Sequence, residues 1–177
     1  DALLDQVLSE QAPLRPAIKA IYRFARTADD IADEGNAAAS ERLAGLTALR
    51  AALDSIEQGR PGDWTDLASA VRNHGLSVRH FRNLVSAFEQ DVTTTRYADF
   101  DAVRDYCRRS ADPVGRLLLE LYDRRSQQAE AWSDAICTGL QLTNFWQDIA
   151  FDWDKGRVYL PRDDLARFEV DEQQIAS

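Results

Sequence analysis

Sulfur and histidine are scarce in this sequence of 177 residues, which has two cysteines, two histidines and no methionine. Cys107 and Cys137 lack the CxxC spacing of a zinc knot or a redox pair, so we expect small buried fillers in a reducing, cytoplasmic compartment. His74 and His80 have no ExxH or HxxxH partner, which counts against a carboxylate-bridged di-iron bundle. Because methionine is missing even at position 1, we expect a piece of a longer chain.

Long apolar runs and excess positive charge are also missing. No run of 18 apolar residues occurs, and the first residues lack the basic-then-apolar layout of a signal peptide. The formal net charge of −9 argues against a nucleic-acid surface, which needs a basic stripe. A field of this sign suits divalent cations instead. The length predicts one domain, residues 1–177, that is able to bury a core.

Apolar residues recur at helical spacing along almost the whole sequence, and no segment alternates with period two, so we predict an all-α fold. Pro113 predicts an interruption of the helix that starts near Asp99, because proline lacks an N–H and crowds the preceding turn. The predicted helices span about 13–34, 38–58, 63–74, 77–93, 99–112, 126–152 and 163 onward, with an extended segment at 157–161.

Two clusters of acidic side chains stand out, one near each end of the sequence. Asp29 and Asp33 are four positions apart, and so are the members of the second cluster, Asn144, Asp148 and Asp152. Residues at this spacing share a helix face, where like charges repel. Acidic pairs of this kind are commonly solvated surface, but two such faces are best explained by cations between them. Hard oxygen ligands favour Mg²⁺, whose coordination a substrate phosphate would complete.

The residues around both clusters resemble the squalene/phytoene synthase family. The resemblance rests on three segments: 22–34, which contains Ala25-Arg26-Thr27-Ala28-Asp29-Asp30; the Asn144-x-x-x-Asp148-x-x-x-Asp152 pattern; and Gly156-Arg157-Val158-Tyr159-Leu160-Pro161. It covers about residues 14–168, while family members extend well beyond this C-terminus. Within the family, residues 25–30, 106–115 and 144–148 are most similar to the branch that forms hydroxysqualene in hopanoid biosynthesis.

The resemblance implies an isoprenoid-synthase helical bundle around an apolar cavity, truncated at its C-terminus. It implies Mg²⁺ ligands at both acidic clusters, with Asp30 in support of Asp29 and Asp33. Residues near the substrate diphosphate would be Arg26, Arg157 and Tyr159. Residues lining the reaction chamber would be Tyr22, Tyr106, Gln141 and Asp91, of which Tyr106 and Gln141 offer polar tips beside apolar walls.

The function implied is Mg²⁺-dependent ionisation and rearrangement of presqualene diphosphate, with a water quench to hydroxysqualene. Mg²⁺ and arginine would stabilise the leaving group, and aromatic faces would stabilise the carbocation. Two alternatives stay open: a presqualene, squalene or phytoene synthase that condenses two prenyl diphosphates, and a non-catalytic assembly partner of the same fold. Gln147 stands where many condensing members have arginine, which favours the presqualene diphosphate reaction.

Less specific interpretations apply to individual residues. Arg26 and Arg157 also fit surface ion pairs, which contribute at most about 1 kcal/mol each, and Tyr22 and Tyr106 fit ordinary core tyrosines. Lys155 fits charge compensation at a helix C-terminus better than a ligand role. Because substrate and product are apolar, the protein is expected to be compatible with peripheral contact to the inner face of a membrane and with contact to other enzymes of squalene biosynthesis. The sequence contains no basic amphipathic helix that would indicate membrane binding.

Overall fold

The computed structural model describes residues 12–33 and 35–176, and in these ranges the chain folds as the predicted all-α bundle. A single parallel bridge joins Arg96 and Val158, and none of the described helices is long and apolar enough to cross a membrane. The helices are α1 (Arg15–Asp33), α2 (Ala39–Glu57), α3 (Thr65–His74), α4 (Val78–Thr93), α5 (Phe100–Ser110), α6 (Asp112–Leu121), α7 (Gln127–Gln147), α8 (Ile149–Asp154) and α9 (Arg162–Arg167).

The main core forms where α1, α3 and α4 meet around Phe24, whose side chain is fully buried. Its ring meets Trp64 and Phe81 edge-on, at ring-centroid distances of 5.2 and 5.3 Å, which is an arrangement that aromatic pairs prefer. Burying a side chain of this size contributes roughly 1.5–3 kcal/mol. The core therefore fixes the position of α1, whose last two turns carry Asp29 and Asp33.

A second, smaller core joins α4, α5 and α7. It is made of Ala87, Tyr97, Val103, Tyr106, Cys107 and Phe145. Three of these side chains are aromatic, and two of the three carry a hydroxyl group. This core thus supplies an apolar floor with polar tips at the end of the bundle where the acidic clusters lie.

Several helix boundaries follow the local signals. Asp99 caps α5, because its side chain accepts a hydrogen bond from the backbone N–H of Ala102 at 2.8 Å. Pro113 lies in the first turn of α6, where a backbone N–H would have no partner within the helix, so its absence breaks no hydrogen bond. The predicted interruption falls at Ala111, between α5 and α6. The start predicted at residue 63 for the third helix is wrong. The helix starts at Thr65 instead.

The predicted helix from 126 to 152 is not continuous. It is interrupted at Asp148, where α7 gives way to α8. Backbone hydrogen bonds nevertheless span the joint, from Asp148 N–H to Asn144 at 2.9 Å and from Asp152 N–H to Asp148 at 2.8 Å. The three residues of the second acidic cluster therefore still occupy successive turns. The predicted end of the first helix at Glu34 lies outside the described residues.

The apolar stripe of α7 is exposed rather than buried. Trp132, Ile136 and Leu140 have exposed fractions of 64%, 62% and 62%, although their spacing predicts a core face. The opposite side of α7 packs on α6. Gly115 is buried at this contact.

We predict that Gly115→Ala destabilises the chain. A Cβ atom at this position would collide with Ser133 Oγ and lie 2.6 Å from Cys137 Sγ. Overpacking of this kind costs about 1–3 kcal/mol, more than the roughly 0.5–1 kcal/mol that alanine gains over glycine inside a helix. Urea unfolding would measure the free energy of unfolding.

Gly139→Ala is the matched control for this prediction. Gly139 also lies inside a helix, but a Cβ atom there meets no atom within 4 Å. The control should therefore be stabilised by roughly 0.5–1 kcal/mol. Equal effects at both positions would show that α6 and α7 do not approach as closely as described.

Candidate active site

A cleft of about 340 Å³ lies where the C-terminal ends of α1, α4 and α7 meet α8 and the segment after it. We call this last segment, residues 155–159, the flap. Both acidic clusters line this one cleft, although they are far apart in the sequence. The predicted site residues that line it are Asp29, Asp33, Asp91, Tyr106, Gln141, Asn144, Asp148, Asp152, Arg157 and Tyr159.

Three predicted site residues lie outside the lining of the cleft. Tyr22 is 68% exposed. Arg26 forms ion pairs with Asp29 at 3.0 Å and with Asp30 at 2.8 Å, so it touches the cleft through Asp29. Asp30 contacts Arg26 instead of facing the other carboxylates. The roles expected for Tyr22, Arg26 and Asp30 therefore stay predictions.

Two cations of the flap bind Asp33. Arg157 Nη1 donates to Asp33 Oδ2 at 3.0 Å, Arg157 Nη2 donates to Asp33 Oδ1, and Lys155 Nζ lies 3.2 Å from Oδ2. Burial by itself would raise the pKa of Asp33, but these hydrogen bonds outweigh it and lower the pKa. A two-pronged arginine contact of this kind fixes direction as well as charge. Asp33 thus holds the flap against the end of α1.

The other carboxylates of the cleft have less compensation. Burial, and then repulsion from Asp33, raises the pKa of Asp29. Burial, and then repulsion from Asp148, likewise raises the pKa of Asp152. Both side chains are only partly buried, so solvent screens part of this cost. The cleft therefore has a negative potential that an added cation would relieve.

The flap is anchored from outside the cleft by Arg96. Its guanidinium donates to the carboxylate of Glu172 at 2.9 Å and to the backbone oxygen of Gly156 at 2.7 Å. The backbone N–H of Val158 donates to Thr95 at 3.0 Å. Gly156 has a φ of +75°, a left-handed conformation that favours glycine. These contacts direct the chain back over the cleft immediately after α8.

Aromatic rings form one wall of the cleft. Phe145 stacks on Tyr159 with 3.8 Å between ring centroids, and Tyr97 stacks on the same ring at 5.5 Å. Tyr106 packs against Phe145 and Tyr159 at 5.9 Å. Ring faces attract cations, so a positively charged organic group in the cleft would be stabilised here.

Asp91 and Tyr106 form a buried polar pair at this wall. The Tyr106 hydroxyl donates to Asp91 Oδ2 at 2.8 Å, and Asp91 Oδ1 has no hydrogen-bond partner within the described residues. Burial raises the pKa of Asp91 to about 7. Burial, and then the charge of Asp91, also raises the pKa of Tyr106. Asp91 can therefore accept or release a proton near neutral pH.

Sequence reasoning missed several residues of the site. Lys155 contacts Asp33 rather than only balancing a helix end, and its place three residues after Asp152 was the available signal. Phe88 and Phe151 line the cleft, and Tyr97 packs in its wall without any motif around it. In contrast, Gln147 is exposed and does not line the cleft.

The donor set of the cleft fits Mg²⁺. Within residues 12–33 and 35–176, no three Asp, Glu, His or Cys side chains lie close enough together to hold a metal ion as they stand. Five carboxylates and two amides nevertheless line the cleft, and hard oxygen donors of this kind are what Mg²⁺ prefers. Burial, and then repulsion from neighbouring carboxylates, raises the pKa of Asp29 and Asp152, and such a cation would remove the repulsive part.

Comparisons with known proteins agree with this geometry. The model of the squalene/phytoene synthase family matches residues 7–177. The hydroxysqualene synthase of Zymomonas mobilis subsp. mobilis is 41% identical over 169 aligned residues, covering 88% of this chain and 56% of that protein. The hydroxysqualene synthase of Sinorhizobium fredii is 43% identical over 155 aligned residues, covering 86% and 52%.

The fold has solved counterparts. The crystal structure of squalene synthase HpnC from Alicyclobacillus acidocaldarius superposes with a TM-score of 0.86 at 35% identity, covering 92% of this chain and 62% of that one. The present chain thus spans about half the length of the curated relatives it matches. The isoprenoid-synthase fold expected from the sequence is confirmed, and so is its truncation relative to that structure.

We predict that Asp91→Asn stabilises the metal-free chain more at pH 8 than at pH 5. The pKa of Asp91 is about 7 in the folded state against 3.8 ordinarily, so the folded chain binds more protons than the unfolded chain between these values. The penalty is absent below about pH 4, grows as the pH rises and is complete above about pH 7. Asparagine removes the charge and still accepts the Tyr106 hydroxyl. The gain should be about 2–3 kcal/mol larger at pH 8.

Urea unfolding in EDTA at the two pH values would measure this difference. Asp154→Asn is the matched control, since Asp154 is exposed and lines no part of the cleft; its effect should be small at both pH values. An Asp91→Asn gain that does not change with pH would contradict the buried position assigned to this carboxyl group.

Proposed function

Since the chain belongs to the squalene/phytoene synthase family, we propose that the protein ionises presqualene diphosphate with the help of Mg²⁺, rearranges the resulting carbocation and quenches it with water to form hydroxysqualene. One observation carries the proposal. Two acidic clusters and a cationic flap share a single cleft, and aromatic rings line its wall. The diphosphate end of a substrate would lie beside the acidic clusters and the cationic flap. Its cationic hydrocarbon end would lie beside the aromatic rings.

The acidic clusters would hold the metal. On this proposal the ligands are Asp29 and Asp33, with Asp30 in support, and Asn144, Asp148 and Asp152. When bound, Mg²⁺ supplies positive charge that neutralises the oxygens of the departing diphosphate. The clusters come from α1 on one hand and from α7 and α8 on the other, so neither provides the whole donor set.

The flap would hold the diphosphate. Arg157 and Lys155 already lie beside Asp33, and phosphate oxygens accept from guanidinium and ammonium groups as carboxylate oxygens do. Tyr159, on the same flap, has its ring in the aromatic wall. Arg26 would add positive charge from one turn before Asp29. Binding substrate would therefore draw the flap over the cleft and exclude water from the ionisation step.

The aromatic wall would then hold the carbocation. When the bond between carbon and diphosphate oxygen breaks, both electrons leave with the oxygen, and the hydrocarbon part becomes a cyclopropylcarbinyl cation that rearranges. Tyr106, Phe145 and Tyr159 offer ring faces to that charge. The exposed Tyr22 lies apart from this wall.

Asp91 would complete the reaction. A water molecule attacks the rearranged cation, a carbon–oxygen bond forms, and the water must lose one proton. Asp91 Oδ1 lacks a hydrogen-bond partner within the described residues, and with a pKa of about 7 this carboxylate can take that proton. Tyr106 keeps Asp91 oriented through its hydrogen bond, and Gln141 offers an amide to the water from α7.

Product analysis of the full-length protein tests this function. The protein is given Mg²⁺ and either presqualene diphosphate or farnesyl diphosphate, without NADPH. We expect hydroxysqualene from presqualene diphosphate alone. Product from farnesyl diphosphate would assign the condensing reaction instead, and no product from either would favour the non-catalytic assembly role or another substrate.

We further predict that Asp148→Asn lowers Mg²⁺-dependent turnover by at least ~100-fold, because it removes a charged ligand from the second cluster. Asp154→Asn is the matched control. Asp154 carries the same charge in the next helix but is exposed and outside the cleft, so its turnover should stay near that of the unaltered protein. Equal turnover in all three proteins would exclude Asp148 from the site.

A further inference from the structure

A second cavity, of about 560 Å³, lies among the start of α4, the end of α5, the start of α6 and the middle of α7. It shares no lining residue with the cleft. Its size falls within the range of about 300–1,000 Å³ that is typical of small-molecule sites. It contains five arginines and two aspartates in its lining, which is an unusual balance for a chain with a net charge of −9.

Two of these arginines have partners. Arg116 binds Asp134 at 2.7 and 2.9 Å. Arg109 binds Asp105 at 2.8 Å and Gln90 at 2.5 Å. These contacts hold the two guanidinium groups in place and account for one of the two aspartates in the lining.

The other three arginines are Arg79, Arg104 and Arg108. Their side chains are exposed and, within the described part of the chain, make no hydrogen bond or ion pair, although the charge of Arg108 acts on Asp112. Arg108 lies in the last turn of α5, where a cation offsets the helix dipole. That explanation does not apply to Arg104, one turn earlier, or to Arg79 at the start of another helix. Three uncommitted guanidinium groups from two helices therefore face one cavity.

The remaining charges do not cancel this positive field. Asp112 is buried, accepts a hydrogen bond from Thr138 at 2.9 Å and is acted on by the charges of Arg116 and Arg108. Two carboxylates in the lining thus face five guanidinium groups. Burial lowers the pKa of His80, against the opposing influence of Glu120, whose carboxylate lies 3.4 Å from His80 Nε2. The neutral imidazole therefore adds no charge to the cavity. The carboxylate of Asp134 is occupied by Arg116.

The chemistry of the lining identifies the ligand class. Guanidinium groups match phosphate oxygens with two parallel hydrogen bonds. Among the described residues, no Phe, Tyr or Trp side chain lines the cavity, and its aliphatic lining consists of Pro113 and Ala135, so it offers no pocket for a prenyl chain. From this geometry we infer that the cavity binds a compact polyphosphate anion such as inorganic diphosphate, at a site separate from the cleft. This inference does not depend on the proposed reaction.

Isothermal titration of the metal-free protein with inorganic diphosphate in EDTA tests the inference. We expect saturable binding at one site that weakens as salt is added. The double variant Arg104→Gln/Arg108→Gln should bind at least ~10-fold more weakly, since it removes two charged donors. Neither side chain has a partner to lose, so the variant should fold; its thermal unfolding curve would check this. Arg79→Gln alone should weaken binding as well.

Arg72→Gln/Arg124→Gln is the matched control. It removes the same charge from two exposed arginines outside the cavity, so binding should be unchanged. The inference would be overturned if the unaltered protein showed no saturable binding. It would also be overturned if the two double variants bound diphosphate with equal affinity, whether or not that affinity is reduced. Binding to phosphatidylglycerol vesicles without binding to free diphosphate would also overturn it and would assign the arginines to a lipid headgroup.

Discussion

Repulsion among carboxylates at the end of the bundle is the constraint on which the site depends. The packing of α1, α4 and α7 brings five aspartates around one cleft, and two flap cations neutralise only Asp33 directly. Burial and mutual repulsion raise the pKa of Asp29 and Asp152. The stability contributed by the two hydrophobic cores offsets this electrostatic cost. Such a site is more stable with a cation present, and a phosphate-bearing substrate can bring one.

The same cleft separates two kinds of chemistry by position. Carboxylates and flap cations lie at one side, where a diphosphate would be held, while Tyr97, Tyr106 and Phe145 form the aromatic wall. Asp91 lies between the charged side and the aromatic wall of the cleft. Burial raises its pKa to about 7, so this carboxyl group can exchange a proton near neutral pH. Arg96 anchors the flap from outside through Gly156. The flap can therefore change its contacts with Asp33 while its two ends stay attached to the bundle.

Local periodicity was enough to predict the all-α fold and the members of both acidic clusters, since residues four apart share a helix face wherever the helix goes. It could not predict which carboxylate would bind Arg157, because that contact joins positions 124 residues apart. The interruption at Asp148 and the exposure of Tyr22 depend on tertiary packing in the same way. Tyr97 enters the site through packing alone, without a motif. The arginine-lined cavity could not be predicted from the sequence either, since its lining residues come from separate helices.

The central claim is that both acidic clusters bind one shared metal–diphosphate group, and a double-mutant cycle on stability tests it most directly. With inorganic diphosphate present throughout, the further rise in melting temperature caused by Mg²⁺ is measured for the unaltered protein, for Asp29→Asn, for Asp148→Asn and for the double variant. We expect either single change to remove most of this rise and the second change to add little. Independent, additive losses, or an undiminished rise in all four proteins, would contradict it.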